Sequence, residues 1–190
     1  MVKSVILSYL LILSFVSNLS AQYKLFPNYL NIQNGLSDNQ ILGAIVGSFI
    51  YFLITNDIFE IQPDSNTTRI QFLFAEFIFT FLLVITILFV GTHPKLKDNQ
   101  FYGPAIGLTV IASQYSIDEI SSSVLNPAIS LGPAIFNIFN GQGINMSLAF
   151  SPYYIFITII AGVLAAYLFK IYLKAKKYCL KWLSIKNLLL

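Results

Sequence analysis

Three observations predict an all-α integral membrane fold with about five spanning helices and one re-entrant half-helix. Apolar residues make up 56% of the 190-residue chain and charged residues only 10%, against about 25% charged in ordinary soluble domains. Five apolar stretches are separated by polar punctuation at 56–69, 93–100 and 140–151. A further apolar piece, Ile129–Phe139, is too short to cross a bilayer and follows an Asn-Pro-Ala turn. The mean hydropathy of +0.73 leaves too few polar side chains to cover a globular surface in water.

The first stretch, Val5–Val16, is short for a span, which needs roughly 17–25 residues. It reads either as a retained span or as a secretory signal, with Lys3, a short apolar core and a small-residue site ending at Ala21. Against the signal, Leu19 is large for a position two before the cut. The second stretch, Ile41–Thr55, and the fourth, Tyr102–Ser113 with its apolar continuation, reach spanning length once neutral flanks are included. The third, Phe72–Val90, and the fifth, Tyr153–Leu173, are long enough outright. At about 1.5 Å per residue, Ile129–Phe139 covers roughly half of the hydrocarbon thickness, as a re-entrant half-helix would.

Lysine and arginine placement predicts direction. With five spans and a cytoplasmic C-terminus, Lys24, Lys95, Lys97, Lys170, Lys174, Lys176, Lys177, Lys181 and Lys186 lie inside, and only Lys3 and Arg69 lie outside. Cleavage after Ala21 would leave four spans and put the lysine-rich tail outside, against this bias. Of the glycosylation triplets, those at Asn66 and Asn145 then fall in outside loops, while the one at Asn18 falls at the cytoplasmic boundary. The lysines and Trp182 after Lys170 read as an interfacial anchor.

Small residues four apart recur at Gly43 and Gly47, at Gly103 and Gly107, and at Ala161/Gly162 with Ala165/Ala166. In lipid, helices associate where small side chains let backbones approach, so a tight bundle is expected.

The most informative stretch is Asn126-Pro127-Ala128 followed by the apolar half-helix. Asn is a favoured N-cap, and Pro suits the first helical turn because its missing N–H would be unpaired anyway. A helix start at membrane depth presents unpaired N–H groups and about half a positive charge. If the side-chain carbonyl of Asn126 caps the helix, its amide nitrogen is left to donate to a water or hydroxyl oxygen. The positive helix end opposes cations and protons. Irregular backbone at that depth is tolerated where it is buried or lines a cavity.

On these residues the chain resembles the aquaporin family. Ile41-Leu-Gly43-Ala-Ile-Val-Gly47 looks like its third span, and Ala75-Glu76-Phe-Ile-Phe-Thr80 its fourth. Gly103-Pro-Ala-Ile-Gly107 looks like its fifth, Leu125–Ala134 its second signature loop, and Ala161-Gly162-Val-Leu-Ala-Ala its sixth. The resemblance implies one aquaporin-like membrane domain over 1–190. Within it, 1–40 is a degenerate remnant of the first half, 41–173 the matched part and 174–190 a cytoplasmic tail.

By the same resemblance, Asn126, Pro127 and Ala128 form the pore signature, while Gln114, Ser123 and Ile129 line the selectivity filter. Glu76 supports the signature loop by accepting backbone N–H bonds, with Thr80 one turn on sharing that work. A passive channel for water or small neutral solutes follows, set in a lipid bilayer as a homotetramer. The alternative is a non-conducting membrane protein, or a subunit that packs with full-length relatives.

The sequence departs from the family's pattern. Members usually carry two Asn-Pro-Ala half-helices, whereas only one is found here and 18–40 holds none, so the pore read from this sequence lacks roughly one wall. The family's usual Arg after Asn-Pro-Ala is Ile129, which removes a fixed positive charge, and Gln114 stands where His is common. Ser130 and Ala134 resemble the water-selective branch, and the Asp typical of the glycerol branch is missing.

The remaining polar residues have plainer readings. His93, at a cytoplasmic helix end, reads as a solvated loop histidine, with a pH gate as the alternative. Asp118 and Glu119 read as a solvated loop start, with a cation-concentrating mouth as the alternative. The single Cys179 and single His93 allow neither an intrachain disulfide nor a His/Cys metal cluster. No carboxylate pair, nucleophile with base or phosphate-cradling glycine loop is present, so neither an enzyme nor a cofactor is expected. Nucleic acid is not an expected partner.

Overall fold

The structure, a computed structural model, describes residues 38–93 and 100–188, with side chains from 40 to 176. The Val5–Val16 stretch, Lys3, Asn18, Lys24, Lys95 and Lys97 lie outside the described residues, as do the side chains of Lys177, Cys179, Lys181, Trp182 and Lys186. Every regular element described is helical: α1 (Asp38–Thr55), α2 (Arg69–Ile87), α3 (Tyr102–Ser121), α4 (Pro127–Asn137) and α5 (Met146–Leu188). Wider π turns continue α2 over Leu88–Thr92 and α4 over Ile138–Gln142.

Arg69–Thr92, of 24 residues, and Met146–Lys176, of 31, are long and apolar enough to cross a bilayer. Both lie where the sequence predicts full-length spans. α2 starts at a capping box: Gln71 N–H donates to Thr68 Oγ1 at 3.4 Å, and Thr68 N–H donates to Gln71 Oε1 at 2.8 Å. Two orphan donors of the first turn are thereby satisfied.

The principal helix contacts run in the order α3–α2–α5–α4–α1, so α4 is held between α5 and α1. One buried cluster, Ile61, Phe72, Val124 and Tyr154, joins the start of α2, the loop before α4 and the start of α5. A second, Leu83, Ile106, Ile117 and Leu125, joins α2 to α3. The outer faces stay apolar: Leu42, Val46, Phe49 and Leu53 on α1 and Phe156, Val163 and Tyr167 on α5 are exposed. An apolar exterior over a partly polar interior suits lipid rather than water.

Close packing falls elsewhere than the small-residue spacing predicts. A Cβ added at Gly47, Gly103 or Gly107 would meet nothing within 4 Å. The expected close approach at those positions is therefore not made among the described residues. Ala161 and Ala165 are fully buried on α5. The tightest approach is between α4 and α1, where a Cβ on Gly132 would lie 2.3 Å from Ala44 Cβ.

Four polar residues also differ from expectation. His93 is buried rather than solvated, because the π turn carries the end of α2 back against α5. Its ring stacks on Phe89, and Lys176 Nζ lies 3.0 Å from its Nε2. Asp118 and Glu119 belong to the last turn of α3 rather than to a loop. Asn145, expected in an outside loop, is buried and starts α5: its Oδ1 accepts from Leu148 N–H at 2.9 Å, and its Nδ2 donates to Ala134 O at 3.2 Å. Asn145→Ala is expected to lower stability by about 2 kcal/mol, the loss of one cap and one bridge to α4. A thermal midpoint in detergent equal to the wild type's would show that neither bond contributes.

Candidate functional site

The site is built where α3 ends and α4 begins. Asn126 is extended (φ −148°, ψ 130°), and its Oδ1 accepts from Ala128 N–H at 2.9 Å. Its backbone carbonyl accepts from Ile129 N–H at 3.1 Å. Pro127 occupies the first turn, where its missing N–H costs nothing. With Oδ1 used for capping, the Asn126 Nδ2 donors have no partner among the described residues, at the positive end of an 11-residue helix.

The chain reaches Asn126 through unusual backbone. Ser122 (φ 61°), Ser123 (φ 43°) and Leu125 (φ 55°) are all left-handed and none is glycine. Each such residue costs of order 1–3 kcal/mol and persists only where its surroundings over-determine it. Here they do, residue by residue. Glu76, fully buried on α2, accepts Val124 N–H at 2.8 Å on Oε1 and Leu125 N–H at 2.9 Å on Oε2. Ser121 Oγ donates to the same Oε1 at 2.7 Å. Ser122 Oγ donates to Gln62 O at 2.8 Å. Gln114 Nε2 donates to Ser123 O at 3.1 Å.

Glu76, Gln114, Ser123, Asn126 and Pro127 thus converge on one loop. Ser123 Oγ is buried without a hydrogen-bond partner among the described residues. Ile129 instead packs half-buried against the Ile61, Phe72, Val124 and Tyr154 cluster. Thr80 makes no hydrogen bond to the loop; it is buried one turn beyond Glu76, and its hydroxyl has no partner among the described residues. Two participants are not singled out by the sequence. Ser121 is one of three consecutive serines, and Tyr154, whose hydroxyl donates to Ser121 O at 2.7 Å, is one of two consecutive tyrosines in an apolar run. Among the described residues, no three His, Cys, Asp or Glu side chains come together as a metal set.

The family profile described as Major intrinsic protein matches residues 37–172. The chain belongs to the major intrinsic protein family. Relatives named as aquaporins agree. The chain is 33% identical over 135 residues to "Aquaporin AqpM" of Methanothermobacter marburgensis, covering 67% of this chain and 53% of that protein. It is 36% identical over 101 residues to "Probable aquaporin NIP4-2" of Arabidopsis thaliana, covering 50% of this chain and 35% of that protein. To "Nodulin-26" of Glycine max it is 35% identical over 98 residues, again 50% and 35%. The chain thus spans about half the length of these curated relatives or less. Membership makes it an integral membrane protein of a family of channels for water or small solutes.

Proposed function

We propose that this major intrinsic protein contributes a passive pathway for water or small uncharged solutes, with the start of α4 as a re-entrant half-helix at the pathway's centre. The observation that carries this is the state of Asn126: its side-chain carbonyl is consumed by the cap and its amide donors have no partner among the described residues, at a positive helix end. Such donors hold a passing oxygen, while the helix end disfavours a cation. Gln114 and Ser123 supply neutral polar groups beside it, and Ile129 supplies no charge. Glu76 is the support of the loop rather than a contact for solute, which fits an acceptor already holding three donors. The lysine-rich C-terminal segment lies on the cytoplasmic side, a placement supported by the nine-to-two bias of basic residues that it gives with five spans. The assembly is a homotetramer by analogy with the family.

Proteoliposomes carrying the chain are expected to shrink faster than empty ones under osmotic shock. Asn126→Asp keeps a good helix cap but removes the amide donors and adds a negative charge. It is expected to slow water flux about tenfold, the equivalent of one hydrogen bond, while cation leak rises. Shrinkage by the wild type no faster than by empty vesicles, with the protein shown to be inserted, would remove this reading.

A further inference from the structure

We propose that Tyr154 is a positioning residue for the Asn-Pro-Ala loop, acting through Ser121 as a second support opposite Glu76. This rests on the reading of that loop as the functional site. The last carbonyls of a helix lack intrahelical partners and must find others. For α3, Asp118 O accepts from Ser122 N–H at 2.8 Å, and Ile120 O accepts from Asp64 N–H at 3.3 Å. The final one, Ser121 O, accepts from the Tyr154 hydroxyl on α5 at 2.7 Å.

Ser121 is therefore gripped from two helices. Glu76 on α2 takes its hydroxyl at 2.7 Å, and Tyr154 on α5 takes its carbonyl at 2.7 Å. Ser121 and Tyr154 are both fully buried, so neither bond is shared with bulk solvent. α2 and α5 also pack directly on each other. The orientation of the Ser121 peptide sets the direction in which the chain enters the left-handed residues 122, 123 and 125, and hence where Asn126 points. Without the Tyr154 hydroxyl the Ser121 carbonyl is an orphan in a dry site, and the peptide can rotate to seek another donor. The ring need not move, since it is independently packed against Phe72 at a centroid distance of 5.5 Å.

Tyr154→Phe removes the hydroxyl and leaves the ring. The control is Tyr153→Phe, because Tyr153 is exposed and its ring contacts Phe72 and Phe150 without joining the loop. Two readouts are used on the full-length chain in proteoliposomes: amide hydrogen exchange over 121–126, and osmotic water flux per inserted copy. In Tyr154→Phe, exchange at Val124 and Leu125 is expected to speed up about tenfold. Flux per copy should fall several-fold, while exchange in the middle of α2 and the thermal midpoint stay close to wild type. Tyr153→Phe should change neither.

Unchanged exchange at Val124 and Leu125 in a folded Tyr154→Phe protein would overturn the proposal. So would loss of folded Tyr154→Phe protein with Tyr153→Phe intact, since the hydroxyl would then serve global stability rather than the loop. Exchange does not depend on conduction. A wild type that fails to conduct would sink the channel reading while leaving the positioning role to be decided by exchange alone.

Discussion

Glu76→Ala is expected to abolish the folded protein. The substitution removes the acceptor of three donors at once: Val124 N–H, Leu125 N–H and Ser121 Oγ. All three belong to buried residues. Ser121 Oγ can fall back on Ile117 O at 3.2 Å, but the two orphaned buried N–H groups cost about 1–3 kcal/mol each, a loss that reaches the lower part of the 5–15 kcal/mol typically separating folded from unfolded domains. The three left-handed residues of the loop would meanwhile lose the contacts that hold them. Glu76→Gln is expected to be intermediate. Its single carbonyl oxygen can still accept, but its amide nitrogen must face a donor. The measurement is the yield of monodisperse protein after detergent extraction, followed by the thermal midpoint of whatever survives. Wild-type yield and midpoint for Glu76→Ala would mean that the loop is held by Gln114, Gln62 and Tyr154 without the carboxylate.

Features set by local chemistry can be read from the sequence, and those set by distant backbone partners cannot. Spanning length is imposed by the bilayer, so the segments Arg69–Thr92 and Met146–Lys176 are visible as long, predominantly apolar runs. The cap at Asn126 is equally legible, because Asn followed by Pro is local chemistry within two residues. Glu76 stands out because a carboxylate in an apolar run needs a partner. Its partners, however, lie 48 and 49 residues away, and no local pattern names them.

Tyr154 is the instructive omission. A tyrosine in a membrane helix must satisfy its hydroxyl, yet its partner is a backbone carbonyl 33 residues distant, and a carbonyl has no sequence signature. His93 fails for a related reason. Polar residues after a span suggest solvent, but the π turn folds that end of α2 against Phe169 and Tyr172 of α5 through Phe89. The glycine pairs mislead because spacing shows that a backbone can be approached, not that another helix is there. Gly103 and Gly107 meet nothing among the described residues, whereas Gly132, outside any such pair, makes the closest contact.

Gly132→Ala is accordingly expected to be the most disruptive single-methyl change in the described structure. An ideal Cβ at that position would lie 2.3 Å from Ala44 Cβ, 2.6 Å from Ala44 C and 3.0 Å from Ala44 Cα. Carbon atoms favour about 3.5–4.0 Å, so the two helices must part by an ångström or more. Two of the three atoms met are backbone, which no rotamer change can move aside. Separation would also loosen the rings that share this interface, Phe49 and Phe52 against Phe136 at 6.2 and 5.9 Å. Overpacking of this kind costs about 1–3 kcal/mol, and it should fall on α1, whose principal packing partner is α4.

The decisive measurement is a double-mutant cycle. Ala44→Gly removes the 2.3 Å clash but leaves the backbone contacts, so the double variant should recover part of the lost midpoint, with a coupling of about 1 kcal/mol. Hydrogen exchange should rise along α1 in Gly132→Ala while the middle of α2 stays protected. Full additivity of the two substitutions, or an unchanged midpoint in Gly132→Ala, would mean that α1 does not seat on α4 at Gly132. α4 would then be held by α5 without the close contact to α1.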